Sequence, residues 1–191
     1  AAALFEKPEK KVSTRERSTG KTVNFAILYG STATGLGEDL GIDRSQAQRL
    51  IDRFMAAYPG VRCWITKVQE QAQHDGYVKT LYGRRRWLPG LRSSTTSEFH
   101  KAQRQAVNSI IQGTAADLLK MAIARLHSAL PVNCRLLLTV HDSILLEAPA
   151  SKIKSTCRLV RKIMEEQPQG FSVPLEVKIG HGATWAACGD G

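Results

Sequence analysis

Leu137-Leu138-Thr139-Val140-His141-Asp142-Ser143-Ile144-Leu145-Leu146-Glu147 decides the reading of this chain. Two strand-like apolar runs flank one histidine and one carboxylate, which is the pattern of an antiparallel hairpin with His141 and Asp142 at its tight turn. The apolar flanks predict a turn held close to the core, a poor place for an idle carboxylate. Metal binding is one use for such an acid. Mg²⁺ takes oxygen ligands and is held by one or two carboxylates plus substrate phosphates, so Asp142 would need a second carboxylate from elsewhere. The plainer alternative is an Asx-type turn with a hydrogen-bonded histidine beside it. Glu147, Glu165 and Glu166 read as surface acids.

Working outward, the chain is helix-rich on its N-terminal side. Ser13 and Glu16 form an S-x-x-E capping box that predicts a helix to about Tyr29, with Gly30 as its stop. Asp43 and Gln46 open a second helix that ends at Tyr58-Pro59-Gly60, and a third pattern covers about Val61 to His74. Gly76 opens a short strand over 77–81, Tyr82-Gly83-Arg84-Arg85 reads as a turn, and Arg86-Trp87-Leu88 returns. From Glu98 to about Leu130 the periodicity is helical, with Ile110, Ile111, Leu118, Leu119, Ala122 and Leu126 on the apolar face and Gly113 interrupting. Beyond the Asp142 hairpin come a helix from about Ser151 to Glu166 and a final strand over 173–179. The expected class is α+β, with a helix-rich part over 1–98 that carries the short hairpin near 77–88, and a mixed part over 99–191.

The 27 Lys and Arg against 17 Asp and Glu give a net charge of +10, so a polyanion is the natural partner. No apolar stretch reaches the roughly 18 to 20 residues of a membrane span, and no signal-peptide pattern precedes the first charges. The expectation is a soluble intracellular protein without membrane partners. The four cysteines show no CxxC pair and read as reduced thiols. The start Ala1-Ala2-Ala3-Leu4-Phe5 has no initiating Met and reads as the end of a helix already under way, the expectation for a C-terminal piece of something longer.

Three further constellations invite chemistry. Arg17, Lys21, Phe25 and Tyr29 recur every four residues, a spacing that advances about 40° per step and keeps them on one stripe. Two cations followed by two aromatics suit a nucleotide, with Arg and Lys on phosphate and a ring stacked on the base. The same spacing also fits an amphipathic helix with solvated cations and buried rings, and spacing does not settle it. Arg104, Asn108 and Gln112 follow the same rule, with Lys101 and Gln105 nearby. Such a row could hydrogen-bond to a duplex minor groove, or could be a solvated face. Gly113 beside it costs about 1 kcal/mol relative to Ala and points to close packing or a near approach. Arg84-Arg85-Arg86 with Lys79, Tyr82 and Trp87 concentrates charge and aromatics in one hairpin, for phosphate contact or as a solvated turn.

Taken together, these segments resemble the C-terminal part of a family A DNA polymerase, the bacterial DNA polymerase I type. Arg17-Ser18-Thr19-Gly20-Lys21 through Tyr29-Gly30 is similar to that family's motif B, R-x3-K-x7-YG, on the fingers helix. Residues 76–86 resemble the fingers hairpin segment, and 104–117 the helix along the primer-template minor groove. Val140-His141-Asp142 is similar to motif C of the palm. The resemblance covers essentially all 191 residues, in order and spacing.

The resemblance implies fingers over 1–98 and distal palm over 99–191, and template-directed transfer of nucleotides from dNTPs to a primer. Arg17 and Lys21 would bind the triphosphate and count as catalytic. Phe25 would pack on sugar and base, and Tyr29 would sit at the stacked template position. Arg104, Asn108, Gln112 and His141, with Arg84 and Arg85, would contact primer-template DNA. Asp142 would be a catalytic ligand of a Mg²⁺ pair in a two-metal mechanism. The family's other catalytic aspartate, on the DYSQ-like motif A strand, has no counterpart here. It is expected upstream or on a separate chain, together with the thumb and the rest of the palm. Ser143 stands where the family commonly has Glu, and Gly20 replaces a small helix former. The implied alternative is a non-catalytic primer-template or nucleotide-binding half of a split polymerase. The implied location is cytoplasmic and nucleoid-associated in a bacterium or virus, with an organelle also open.

Overall fold

The computed structural model describes residues 1–168 and 170–189. Among the described residues seven α-helices and two small antiparallel hairpins follow one another: α1 Ala2–Phe5, α2 Thr14–Leu28, α3 Ala33–Leu40, α4 Arg44–Ala57, α5 Pro59–Asp75, β1 Tyr77–Lys79, β2 Arg85–Trp87, α6 Thr96–Ala129, β3 Arg135–Val140, β4 Ser143–Glu147 and α7 Ile153–Glu165. The class is α+β, as expected. Two compact units divide the chain, Ala1–Gly113 and Thr114–Gly191, and the boundary falls inside α6.

Both capping boxes form. Ser13 Oγ accepts from the Glu16 amide while the Glu16 carboxylate accepts from the Ser13 amide, and Asp43 and Gln46 do the same at the start of α4. Glu16 is also bound by Lys7 Nζ at 2.5 Å. That ammonium, with the Ser13 hydrogen bonds, pulls the Glu16 carboxyl from its ordinary 4.5 down to about 2. A depressed carboxylate contributes stability above about pH 4.5 and loses it as the pH falls toward 2. The thermal midpoint should therefore fall further between about pH 5 and 2 for the natural chain than for Glu16→Gln, and melts at both pH values check this. Equal shifts in both proteins would contradict the assignment.

One residue separates α4 from α5. Tyr58, at φ −128° and ψ 67°, caps both, and Pro59 takes the first position of α5, where its missing N–H costs nothing. The helix therefore begins at Pro59 and not at Val61. Helix α3 was not foreseen. Thr32 caps its start and Gly41, at φ +65°, its end, but Gly35 and Gly37 hide its periodicity. A Cβ at Gly37 would lie 2.8 Å from the Ile42 carbonyl oxygen, so that glycine is set by close packing.

The first unit holds two cores. One joins Leu4, Val23, Ala26, Ile27, Ala33, Leu36, Ala47 and Phe54 from α1 to α4. Val23 and Leu36 are completely buried, which stabilises by roughly 1.5–3 kcal/mol each. The other joins Ala72, Val78, Leu88, Leu91, Ala102 and Ala106, seating the β1–β2 hairpin on α5 and α6. In the second unit, Leu126 of α6 packs with Val160 and Ile163 of α7, and Leu136, Ile144 and Leu146 of the β3–β4 hairpin close over them.

The final strand expected over 173–179 is not formed. Leu175, Val177 and Ile179 keep the alternation, half-buried between exposed Glu176 and Lys178, but among the described residues no strand lies beside them and Pro174 lacks a ladder donor. The Val177 amide instead donates to Glu165 Oε1 at 3.1 Å. Glu165 is thus half-buried and structural, while Glu166 is an exposed acid paired with Arg125.

Candidate nucleotide and nucleic-acid interface

Helix α2 turns Gly20, Val23, Ala26 and Ile27 into the core, which leaves Arg17, Lys21, Phe25 and Tyr29 on its outer face. All four are exposed. Phe25 is 55% and Tyr29 44% accessible, so the plainer reading with buried rings does not hold. The two rings stack at 6.1 Å with 14° between their planes. Glu16, the acid one residue before Arg17, is already taken by Lys7 and Ser13 and does not neutralise the stripe. Two cations a turn apart, without a salt-bridge partner among the described residues and followed by a stacked aromatic pair, form a surface that can take polyphosphate at one end and a planar base at the other.

The row on α6 meets the end of this stripe. Gln112 Nε2 donates to the Tyr29 hydroxyl at 3.0 Å. Beside it, Gly30 adopts φ +69°, and a Cβ there would sit 2.6 Å from Arg104 Cγ. Gly30 therefore does more than stop α2. Its missing side chain lets the Arg104 stem lie against the turn that carries Tyr29. Asn108 lies between Arg104 and Gln112, with its Oδ1 buried and without a hydrogen-bond partner among the described residues. A buried acceptor of that kind is costly unless something supplies a donor.

The three hairpin arginines have different fates. Arg84 donates to the Gly113 carbonyl at 2.8 Å, and Arg86 donates to Ser109 Oγ at 2.9 Å, so both tie the hairpin to α6. Arg85 lies over the Tyr77 ring at 5.1 Å. Arg84 also keeps exposed surface. Gly113 makes the joint possible, since a Cβ there would lie 2.6 Å from Thr80 Cγ2. Thr80 cannot yield easily, because its amide and hydroxyl both bond to the Arg84 backbone. Gly113→Ala should thus lower stability by about 1–3 kcal/mol even though Ala is the better helix former. Urea unfolding checks this, and a raised midpoint would contradict the close approach.

In the second unit, β3 and β4 pair from Arg135↔Glu147 to Val140↔Ser143, with an irregularity between Leu136 and Leu138. His141 and Asp142 are the two loop residues. His141 takes φ +55°, a left-handed conformation uncommon outside glycine. Both are exposed, so the turn is a solvent-facing tip and not the deeply held turn expected from its apolar flanks. The core accepts only one face of the hairpin: Leu136, Ile144 and Leu146 pack inward, whereas Leu137, Leu138 and Val140 are 52%, 43% and 39% exposed.

Among the described residues, no group of three or more His, Cys, Asp or Glu could hold a metal. Asp142 offers a hard oxygen ligand at a tip, chemistry suited to Mg²⁺, but no complete donor set surrounds it among the described residues. No helix among the described residues is long and apolar enough to cross a membrane.

An α+β chain that carries a cationic-aromatic helix stripe, a polar row on a long helix and a carboxylate-tipped hairpin presents a surface suited to nucleotides and nucleic acid. The family model for DNA polymerase family A matches residues 1–187, and the chain belongs to that family. It is 41% identical over 186 residues to the thermostable DNA polymerase I of Thermus aquaticus, covering 97% of this chain and 22% of that relative. It is 42% identical over 186 residues to DNA polymerase I of Deinococcus radiodurans, covering 97% of this chain and 19% of the relative. The solved polymerase domain of Pol1 from M. smegmatis, in complex with DNA primer-template and dNTP, superposes with a TM-score of 0.87 at 34% identity, covering 98% of this chain and 33% of that one. The chain thus spans about a fifth of the length of the curated relatives it matches.

Proposed function

We propose that this chain contributes the nucleotide-binding fingers, over 1–98, and the distal palm, over 99–191, of a DNA-directed DNA polymerase that copies a template by adding deoxynucleotides to a primer. The observation that carries the proposal is the outward stripe of Arg17, Lys21, Phe25 and Tyr29, linked through Gln112 to the α6 row. Arg17 and Lys21 bind the triphosphate, the Arg through its fork and the Lys as a compact charge. Phe25 packs on the sugar and base, and Tyr29 holds the stacked position beside the template. Arg104, Asn108, Gln112 and His141 bind the primer-template duplex, and Arg85 with the exposed part of Arg84 meets its backbone.

Asp142 contributes one carboxylate to a Mg²⁺ site completed by an acidic strand outside these residues. Metal ions held there would supply Lewis-acid charge to the primer 3′-hydroxyl and the triphosphate, with Asp142 as one of their oxygen ligands. The exposed Leu137, Leu138 and Val140 favour this reading, because an apolar sheet face left in solvent normally receives another segment. The left-handed His141 favours it too, since a strained tip is kept where the tip is used.

Fluorescence anisotropy with a labelled primer-template tests the binding half of the proposal. The next templated dNTP should tighten the complex, and a mismatched dNTP should not. Equal effects of all four nucleotides would overturn it.

A further inference from the structure

The geometry points to a second nucleic-acid contact, on the outer face of the β1–β2 hairpin, that takes single-stranded nucleic acid by base stacking. The pairs Tyr77↔Trp87 and Lys79↔Arg85 are two residues apart on each strand and so share one face, while the Val78↔Arg86 pair between them faces the other way. Val78 goes into the core and Arg86 to Ser109, so the inner face is accounted for. Among the described residues, none of the four on the outer face belongs to a core cluster. Trp87 is 64% exposed there, with its ring 4.9 Å from Tyr77 at 59°. Lys79 Nζ and Arg85 Cζ lie 5.6 and 5.1 Å from the Tyr77 ring centre.

A mostly exposed tryptophan, braced by a second ring and flanked by two cations, has the composition of a stacking platform for unpaired bases. Duplex DNA keeps its bases stacked inside and would use only the cations. An open groove of about 510 Å³ continues from Tyr77 and Lys79 past Trp64 and Lys67. The acid in its lining, Asp75, is already engaged by His74 and Gln71, each at 2.8 Å, which hold its carboxyl below the usual range. A phosphate passing there meets Lys67 and Lys79 beside one carboxylate, Asp75, whose oxygens are already hydrogen-bonded to its neighbours. The contact does not depend on catalysis, so its failure and the failure of the polymerase reading are separable.

The test is anisotropy of a fluorescein-labelled oligo-dT and of a blunt duplex of equal length, without nucleotide or metal. Trp87→Ala should weaken oligo-dT binding about tenfold and duplex binding less than about twofold, with Trp87→Phe retaining most of the affinity because it keeps a ring. Joint Lys79→Glu and Arg85→Glu should weaken oligo-dT and flatten its salt dependence by about 1.4 in log–log slope, two phosphate contacts' worth for a single strand. Unchanged oligo-dT binding by Trp87→Ala overturns the proposal, as does an equal loss on the duplex or a charge effect without a ring effect. Displacement of oligo-dT by poly-glutamate as readily as by unlabelled oligo-dT would make the face a site for acidic protein and also overturn it.

Discussion

Asp142→Asn should abolish templated primer extension by the polypeptide completed with its acidic strand, while primer-template affinity stays within about twofold. The substitution is nearly isosteric and Asp142 is an exposed loop residue, so no core packing is disturbed. What changes is a unit of negative charge at the hairpin tip. If that charge holds an ion that neutralises the reacting phosphate, its loss removes several kcal/mol of transition-state stabilisation, or about 10³-fold or more in rate. Stopped single-nucleotide incorporation gives the rate, and anisotropy gives the affinity. Extension retained within tenfold would leave Asp142 as a turn-former only.

Lys21→Ala should act on the other substrate. Lys21 stands one turn from Arg17 on the outer face of α2, away from the residues that pack the core, so its removal costs little stability. A charge-assisted contact to phosphate is worth roughly 1.5–3 kcal/mol, which predicts a loss of about 10- to 150-fold in kcat/KM for dNTP. Affinity for primer-template should be nearly unchanged. Steady-state incorporation against dNTP concentration, with a parallel binding titration, separates the two. An equal loss of nucleotide use and duplex affinity would place Lys21 on the duplex instead.

What the sequence made legible was mostly local. The capping boxes at Ser13 and Asp43 depend on residues three apart, and both form as read. The two hairpins were readable because each turn lies between short apolar or aromatic runs. Long-range choices were hidden. Spacing places Phe25 and Tyr29 on one stripe but does not say whether that stripe faces core or solvent, since Val23 and Ile27 define an equally good apolar face. The separate fates of Arg84, Arg85 and Arg86 depend on which face of a three-residue strand meets α6, a contact more than twenty residues away. Gly113 hinted at that meeting, because a costly mid-helix glycine needs a reason. The period-two run over 173–179 predicts a strand that does not form, since alternation describes a strand's sides and says nothing about whether a neighbour pairs with it. Helix α3 was missed where two glycines weaken propensity and tight packing, not periodicity, sets the choice.

The proposed Mg²⁺ site takes one carboxylate from the tip formed by His141 and Asp142, and the most direct measurement follows from that. Primer extension with Mg²⁺ should be compared for this chain alone and for the chain supplied with a second segment bearing the acidic palm strand. The prediction is silence alone and template-directed extension on addition, lost again with Asp142→Asn. Extension by the 191-residue chain by itself would contradict the need for a second carboxylate.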